Sequence, residues 1–97
     1  MEDKLSKRNI VLIEIRTIEK AQKGKGVGFN QLVEKLKGKV SRATISKALD
    51  SLFDMGILDS EWKLDNSKWK KEITVANEAQ DMVDEMIKDL KKRKLIK

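Results

Sequence analysis

Two short helical patterns separated by a tight turn lie near the middle of this chain. Apolar residues recur at helical spacing over about residues 31–36 and again over residues 42–55, as they do on the buried faces of two helices. Between them, Gly38 can take the left-handed conformation that ends a helix, and the hydroxyl of Ser41 can cap the start of the next. Because the connection is so short, the pattern predicts a helix-turn-helix over about residues 30–56.

The spacing of the apolar residues changes after Gly56, which can end the second of these helices. Residues 57–64 and 69–75 alternate apolar and polar side chains, as strands do. The four residues between them, 65–68, have the Asp, Asn and Ser side chains that favour turns. A β-hairpin over about residues 57–75 is therefore predicted.

The chain has two tryptophans, Trp62 and Trp69, and they fall on the two predicted strands. Such rings can stack on nucleic-acid bases, but they more often pack across a hairpin or in a core. We therefore expect both tryptophans to pack in the core and across the two strands.

Longer helical patterns flank this central part. Residues 5–22 carry an apolar stripe wide enough to be covered on two sides, and residues 27–29 could add a short strand. Asn30 is expected to cap the first helix of the helix-turn-helix. Thr74 is expected to cap a last helix over about residues 76–94.

The order of these elements defines the expected fold class. Helix, short strand, helix, turn, helix, hairpin and helix make an α+β fold that is mostly α. With 97 residues the chain has room for one domain and no second core. The prediction is one winged helix-turn-helix domain over residues 1–97, with an added C-terminal helix for dimerisation. A chain of this size buries only about two-thirds of its unfolded surface, so dimerisation would stabilise it.

The residue types that are missing narrow the possible chemistry. The chain contains no Cys and no His, which removes disulfides, the usual zinc sites, thiol nucleophiles and Ser-His triads. Three glycines alternate over residues 24–28, but they lack the Lys-Ser/Thr ending and the preceding strand of a phosphate-binding loop. We predict that the protein is not an enzyme and needs no cofactor and no metal.

Composition also bears on where the protein works. No apolar run approaches the roughly 20 residues that span a bilayer, and the N-terminus lacks a signal-peptide pattern, so the expected location is the cytoplasm, away from membranes. Charged residues make up 39% of the chain, and Lys is the most frequent of them. This bias is common in hyperthermophile proteins, so a thermophilic source is expected.

The net charge of +6 is unevenly distributed. Residues 88–97 hold six cations and one acid, and such a tail could either reach phosphates or fray in solvent. A second block inside the helix-turn-helix has five cations and no acid. Its cations are Lys35, Lys37, Lys39, Arg42 and Lys47. Cations gathered in a helix-turn-helix indicate nucleic-acid binding more strongly than a basic tail does.

The outward side chains of residues 42–55 are candidates for reading DNA, because a recognition helix presents such positions to the major groove. Arg42 could fork onto a guanine edge, while the methyl group of Ala43 could touch thymine. In the hairpin, four Lys balance four acids, so its lysines could contact phosphates or only keep an edge soluble. The predicted DNA-binding residues are Lys39, Ser41, Arg42, Ala43, Thr44, Ser46, Lys47, Lys63, Lys68 and Lys70.

Four segments carry a combined pattern in a fixed order. They are residues 29–36 (FNQLVEKL), 40–49 (VSRATISKAL), 55–58 (MGIL) and 73–77 (ITVAN). Together they resemble winged-helix transcriptional regulators of the MarR and PadR kind, of a small archaeal type. The last segment is similar to the Leu-Thr-x-x-Gly that follows the wing in those families, with Asn77 at the glycine position.

The resemblance implies a function and an assembly. It implies sequence-specific binding of double-stranded DNA by a transcriptional regulator, with residues 42–55 in the major groove and the wing, residues 57–75, on the backbone or in the minor groove. In this group the first and last helices often form a homodimer interface. The residues expected there are Ile10, Ile13, Val83, Met86 and Leu90.

Two other functions fit the same predicted fold. A winged helix can be a protein-interaction module in a larger complex, because fold does not fix function. It can also be an architectural protein that binds DNA without sequence preference and with steep salt dependence. The sequence contains no recognisable site for a small-molecule effector.

Overall fold

The structure, a computed structural model, describes residues 6–94 as four helices and one three-stranded antiparallel sheet. The elements are α1 (Lys7–Ala21), β1 (Val27–Gly28), α2 (Phe29–Lys35), α3 (Arg42–Asp54), β2 (Leu58–Asp65), β3 (Lys68–Val75) and α4 (Asn77–Lys92). The strand order is β1-β3-β2. This is the predicted mostly helical α+β arrangement. The two ends of the predicted domain, residues 1–5 and 95–97 with the last part of the basic tail, lie outside the described residues.

The starts of the helices follow the local side chains, with two corrections to the predicted caps. Ser41 caps α3 as expected, because its Oγ accepts the backbone N–H of Thr44 at 3.2 Å. The expectation for Asn30 was wrong: α2 begins at its neighbour Phe29, and Gly28 occupies the capping position. Thr74 was also wrong, since pairing with β2 keeps it in β3 and Ala76 precedes α4.

Two glycines end the helices of the helix-turn-helix where the sequence predicted. Gly38 has φ +85° and Gly56 has φ +75°, a region where a side chain would be strained. At Gly38 the chain turns so that the N–H of Val40 donates to the carbonyl oxygen of Leu36 at 3.0 Å. These turns set the direction in which α3 leaves α2 and in which β2 leaves α3.

The hairpin has nearly the predicted bounds, but its turn is tighter, because each strand extends one residue further toward the turn. Leu58 pairs with Val75, and the ladder continues to Asp65 opposite Lys68. Only Asn66 and Ser67 remain in the turn, with φ values of 50° and 65°. Two successive positive φ values are typical of the two-residue turn whose twist matches that of the strands.

One apolar core lies between the helices and the base of the sheet. α1 packs against α3, β3 and α4, which explains why its apolar stripe is so wide. The largest fully buried side chains come from every helix, from β1 and from β3: Val11, Ile15, Val27, Leu32, Leu36, Ile45, Leu52, Val75 and Val83. Within the part of the chain that the structure describes, no helix is both long and apolar enough to cross a membrane.

The expectation that both tryptophans pack in the core was wrong. Trp62 is 62% exposed and Trp69 is 65% exposed. They share a face of the hairpin with the buried Ile73 and Val75, but the core ends below them. They are not directly opposite each other either, because Trp69 faces Leu64 across the ladder. The hairpin therefore carries an apolar face well beyond the core.

An ion cluster fixes α4 against α1. The guanidinium of Arg16 donates to both carboxylate oxygens of Asp84, at 2.8 and 3.0 Å, and to Glu19 at 2.9 Å. Lys20 Nζ lies 3.2 Å from Asp84. Hydrogen bonds from Arg16 hold the pKa of Asp84 below its ordinary value. Glu19 is only 3% exposed and is paired with Arg16, whereas the neighbouring Lys20 is solvent-exposed.

Candidate nucleic-acid interface

The first half of α3 presents a polar surface to solvent. Arg42, Ala43, Ser46 and Lys47 are exposed, and Thr44 is half-buried. The core side chains of α3 all lie on its other side: Ile45, Ala48, Leu49 and Leu52. An amphipathic helix with this spacing can be held firmly by its buried face while the opposite face remains free for a ligand.

Ser41 and Thr44 make a closed pair of hydroxyls at the start of α3. Besides accepting the Thr44 N–H, Ser41 Oγ donates to Thr44 Oγ1 at 2.9 Å. The first N–H groups of a helix have no partner within that helix and attract anions. Both hydroxyls thus organise the end of α3 where a phosphate would be favoured.

Arg42 is held by the first turn of α2. Its Nη2 donates to Asn30 Oδ1 at 3.3 Å, and its guanidinium carbon lies 5.1 Å from the centre of the Phe29 ring. The hydrogen bond and the cation–π contact limit the directions that this long side chain can take. The sequence analysis missed both partners. Asn30 has a side chain that is typical of a helix cap, and it contacts Arg42 only because α2 packs on α3.

The helix-turn-helix has three further exposed cations before α3. Lys35, Lys37 and Lys39 are exposed along the end of α2 and the turn. The exposed acids of α3, Asp50 and Asp54, lie in its second half. The sign of the charge therefore changes along α3, and its N-terminal end is the one suited to a polyanion.

The hairpin has two unlike faces. One, the carboxylate face, holds Asp59, Glu61 and Glu72 together with the predicted Lys63, Lys68 and Lys70. Lys63 Nζ lies 3.6 Å from Glu61 and 3.9 Å from Glu72, so its charge is partly neutralised. All three predicted lysines thus share this face with acids, and Lys68 is the one nearest the turn.

The other face, the tryptophan face, holds Trp62, Leu64, Trp69 and Lys71. It is the side that packs on the helices, because Lys71 Nζ lies 5.1 Å from the centre of the Phe53 ring of α3. Lys71 is absent from the predicted residues. The alternation with the core residues Ile73 and Val75 in β3 was the signal that could have identified it.

A groove separates the hairpin from the helices. It has a volume of about 610 Å³, and its walls include Phe29 and Asn30 on one side and Trp62 and Lys71 on the other. A smaller cavity of about 270 Å³ continues along α3 past Ser46. The start of α2, the middle of α3 and the tryptophan face therefore border one continuous surface. Within residues 6–94, no group of three or more acidic side chains is arranged to hold a metal ion.

Several solved structures are similar to this chain at low sequence identity. A PadR family transcription regulator from hypervirulent Clostridium difficile matches with a TM-score of 0.68 and 13% identity, over 92% of this chain and 92% of that chain. SSV1 F-93 matches with a TM-score of 0.65 and 13% identity, over 100% of each chain. Bacillus subtilis PadR in complex with operator DNA matches with a TM-score of 0.57 and 14% identity, over 78% of this chain and 47% of that chain.

These similarities confirm the predicted winged helix-turn-helix fold. In this fold α2 and α3 are the helix-turn-helix, and the hairpin of β2 and β3 is the wing. No protein-family model matches the chain, and no curated protein sequence matches it.

Proposed function

We propose that this chain binds double-stranded DNA and acts as a sequence-specific transcriptional regulator. The observation that carries the proposal is the exposed first half of α3, where Arg42 and Lys47 stand on the acid-free end of a helix that the core holds in place. The fold supports it as well, since one similar structure is described as a PadR family transcription regulator and another as PadR in complex with operator DNA. Neither description names an enzyme, which supports a role without catalysis.

The proposal gives each part of the surface a task. α3 lies in the major groove, where Arg42 and Ser46 read base edges. Asn30 and Phe29 are positioning residues, because they act on DNA through Arg42. Lys39 and Lys47 neutralise phosphates, which adds affinity and salt dependence without sequence information. Of the wing lysines, the paired Lys63 must leave its two carboxylates to bind a phosphate.

A homodimer is part of the proposal. α1 and α4 pack together and leave Met82 54% exposed. Four other apolar residues of these two helices are half-buried: Ile10, Ile13, Met86 and Leu90. Val83 is fully buried inside the protomer, so it adds no exposed area to a contact between copies. Two copies related by a twofold axis would place two α3 helices on half-sites about one DNA turn apart.

The dimer is tested by sedimentation equilibrium at micromolar concentration. Met82→Glu puts a charge on the exposed part of the proposed interface and should shift the mass toward the monomer. Lys88→Gln, an exposed change on the same helix but turned away from Met82, is the control and should leave the mass unchanged. A monomer mass for the wild type would overturn the dimer but not DNA binding.

DNA binding is tested by fluorescence anisotropy on a randomised duplex pool at two salt concentrations. Arg42→Ala and Lys47→Ala should each weaken binding by about tenfold, and Lys47→Ala should also lower the salt dependence by about one ion. Lys7→Ala removes an exposed cation at the start of α1 and is the matched control. After selection, a palindromic sequence should be enriched. Binding that is absent, or equal in all four proteins, would contradict the proposal.

One observation favours a second function. Trp62, Leu64 and Trp69 are large, exposed and adjacent, and exposed apolar patches often mark contacts between proteins. If this patch binds a protein, the chain is an interaction module, and its association with DNA should be weak and insensitive to Arg42→Ala.

A further inference from the structure

The wing carries an exposed apolar patch of Trp62, Leu64 and Trp69, and no described residue of the chain covers it. Leu64 lies directly opposite Trp69, and Trp62 is the diagonal neighbour of Trp69, a distance that aromatic side chains can bridge. The three side chains therefore form one exposed apolar strip near the tip of the hairpin. Contact between water and so much apolar surface is unfavourable. Binding of a partner that covers the strip is therefore favoured.

The charges around the strip identify the chemistry of that partner. The described carboxylates of the hairpin, Asp59, Glu61 and Glu72, all lie on the carboxylate face. Among its described side chains the tryptophan face has a cation, Lys71, and no acid. The partner should thus combine negative charge with apolar surface. A second copy meeting this face would place one Lys71 near another, which is unfavourable.

The position of the strip agrees with a nucleic acid. Trp62 and Lys71 line the same groove as Phe29 and Asn30. One acid, Glu72, also lines this groove, but it is outnumbered by the cations, because Lys25 and Lys70 lie there as well as Lys71. Asn30 holds Arg42. If α3 occupies a major groove, as in the proposed function, a sugar-phosphate strand that follows this groove would bring the wing to the adjoining minor groove. The walls of a minor groove are deoxyribose rings bordered by phosphates, which are apolar surfaces beside negative charges.

From this geometry we propose that the tryptophan face of the wing packs Trp62, Leu64 and Trp69 against the deoxyribose walls of a DNA minor groove, with Lys71 on the flanking phosphate. The inference rests on the proposed function and adds to it a contact that senses the shape of the groove and not its base edges. Apolar side chains in a minor groove widen it and bend the duplex. The wing therefore favours flexible sequence beside the site that α3 reads.

The first test uses the natural fluorescence of the protein. Trp62 and Trp69 are the two tryptophans of the chain, which has no Tyr, so the intrinsic emission reports on the wing alone. The selected duplex, with a label for anisotropy, is titrated into the wild-type protein. At saturation the tryptophan emission should be quenched and protected from acrylamide, and netropsin, which fills minor grooves, should reverse both effects.

The second test separates apolar contact from charge. Trp62→Ala and Trp69→Ala should each weaken duplex binding by about tenfold, because apolar burial is lost, with an unchanged salt slope, since no phosphate contact is lost. Trp69→Phe should recover most of the affinity. Met55→Ala, which removes an exposed apolar side chain outside the wing, is the control and should bind as tightly as the wild type. Because both tryptophans are exposed, thermal unfolding of these variants should match that of the wild type.

Each outcome distinguishes the two proposals. If anisotropy reports binding while the emission and its quenching by acrylamide stay unchanged, the wing inference is wrong and the proposed function stands. If no duplex binds, both are wrong. If the emission changes with protein concentration alone, and Trp69→Ala removes that change, the strip is an interface between copies and the minor-groove contact is rejected.

Discussion

Both α3 and the wing carry cations and acids. In the two regions, however, the cations are separated from the acids in different directions. In α3 the separation runs along the axis, from Arg42 and Lys47 near the start to Asp50 and Asp54 near the end. In the wing it runs across the ribbon, because neighbouring residues point to opposite faces. A wing with zero net charge can thus have one face without any described acid. The net charge of a segment therefore predicts the charge of the surface that a helix end presents. It does not predict the charge of either face of a strand.

The two regions also differ in how they depend on the core, and this gives the largest expected effect. Ile45 of α3 is fully buried, so Ile45→Ala should lower the free energy of unfolding by about 2–5 kcal/mol. Trp69→Ala removes a larger side chain from an exposed position and should cost less than about 1 kcal/mol. Urea unfolding measures both. Equal losses would show that the wing is as tightly coupled to the core as α3.

The next largest expected loss of stability concerns the ion cluster that joins α1 and α4. Asp84→Asn should destabilise the protein by about 1–2 kcal/mol at pH 7, because Arg16 loses a charged partner at a site that solvent partly screens. The pKa of Asp84 is lowered by folding. Its contribution is therefore complete above the unfolded-state pKa of about 4 and disappears as the pH falls through the lower folded-state value.

Urea unfolding at several pH values tests this assignment. The difference between the wild type and Asp84→Asn should shrink as the pH falls below 4. Glu85→Gln, a neighbouring exposed carboxylate on α4, serves as the control for general charge effects. A difference that stays constant with pH would rule out the ion pair as its source.

A smaller effect concerns the contact that orients Arg42. Asn30→Ala removes the hydrogen bond to the guanidinium and should weaken DNA binding by about threefold to tenfold. In a double-mutant cycle with Arg42→Ala, the two losses should not add, since Asn30 acts through Arg42. Additive losses in the anisotropy assay would mean that Asn30 contacts DNA independently.

The smallest effect compares two lysines of the wing. Lys71→Ala should weaken DNA binding by about threefold and lower the salt dependence by about one ion, because Lys71 lies on the face toward α3. Lys63→Ala should change little, since Glu61 and Glu72 already attract that cation. A reversed order would place the carboxylate face on DNA and would overturn the two-faced description of the wing.

The contrast between α3 and the wing also explains which parts of the candidate site could be predicted from the sequence. The exposed face of α3 follows from the spacing of Ile45, Leu49 and Leu52, because a helix places its residues by local geometry alone. The partners of Arg42 did not follow, since Phe29 and Asn30 reach it only after α2 packs on α3. Alternation in β3 indicated that Lys71 shares a face with Ile73, but sequence could not say how far the core extends along that face.

By itself the sequence determined the order of the elements, the turn at Gly38, the cap at Ser41 and the polar face of α3. These features depend on hydrogen bonds and dihedral angles within a few residues. Only the tertiary structure decided that the core ends before Trp62 and Trp69, that Lys63 is paired and that Arg42 is held by α2. Each of these depends on how far one element reaches past another, and that is set by packing between segments distant in the chain.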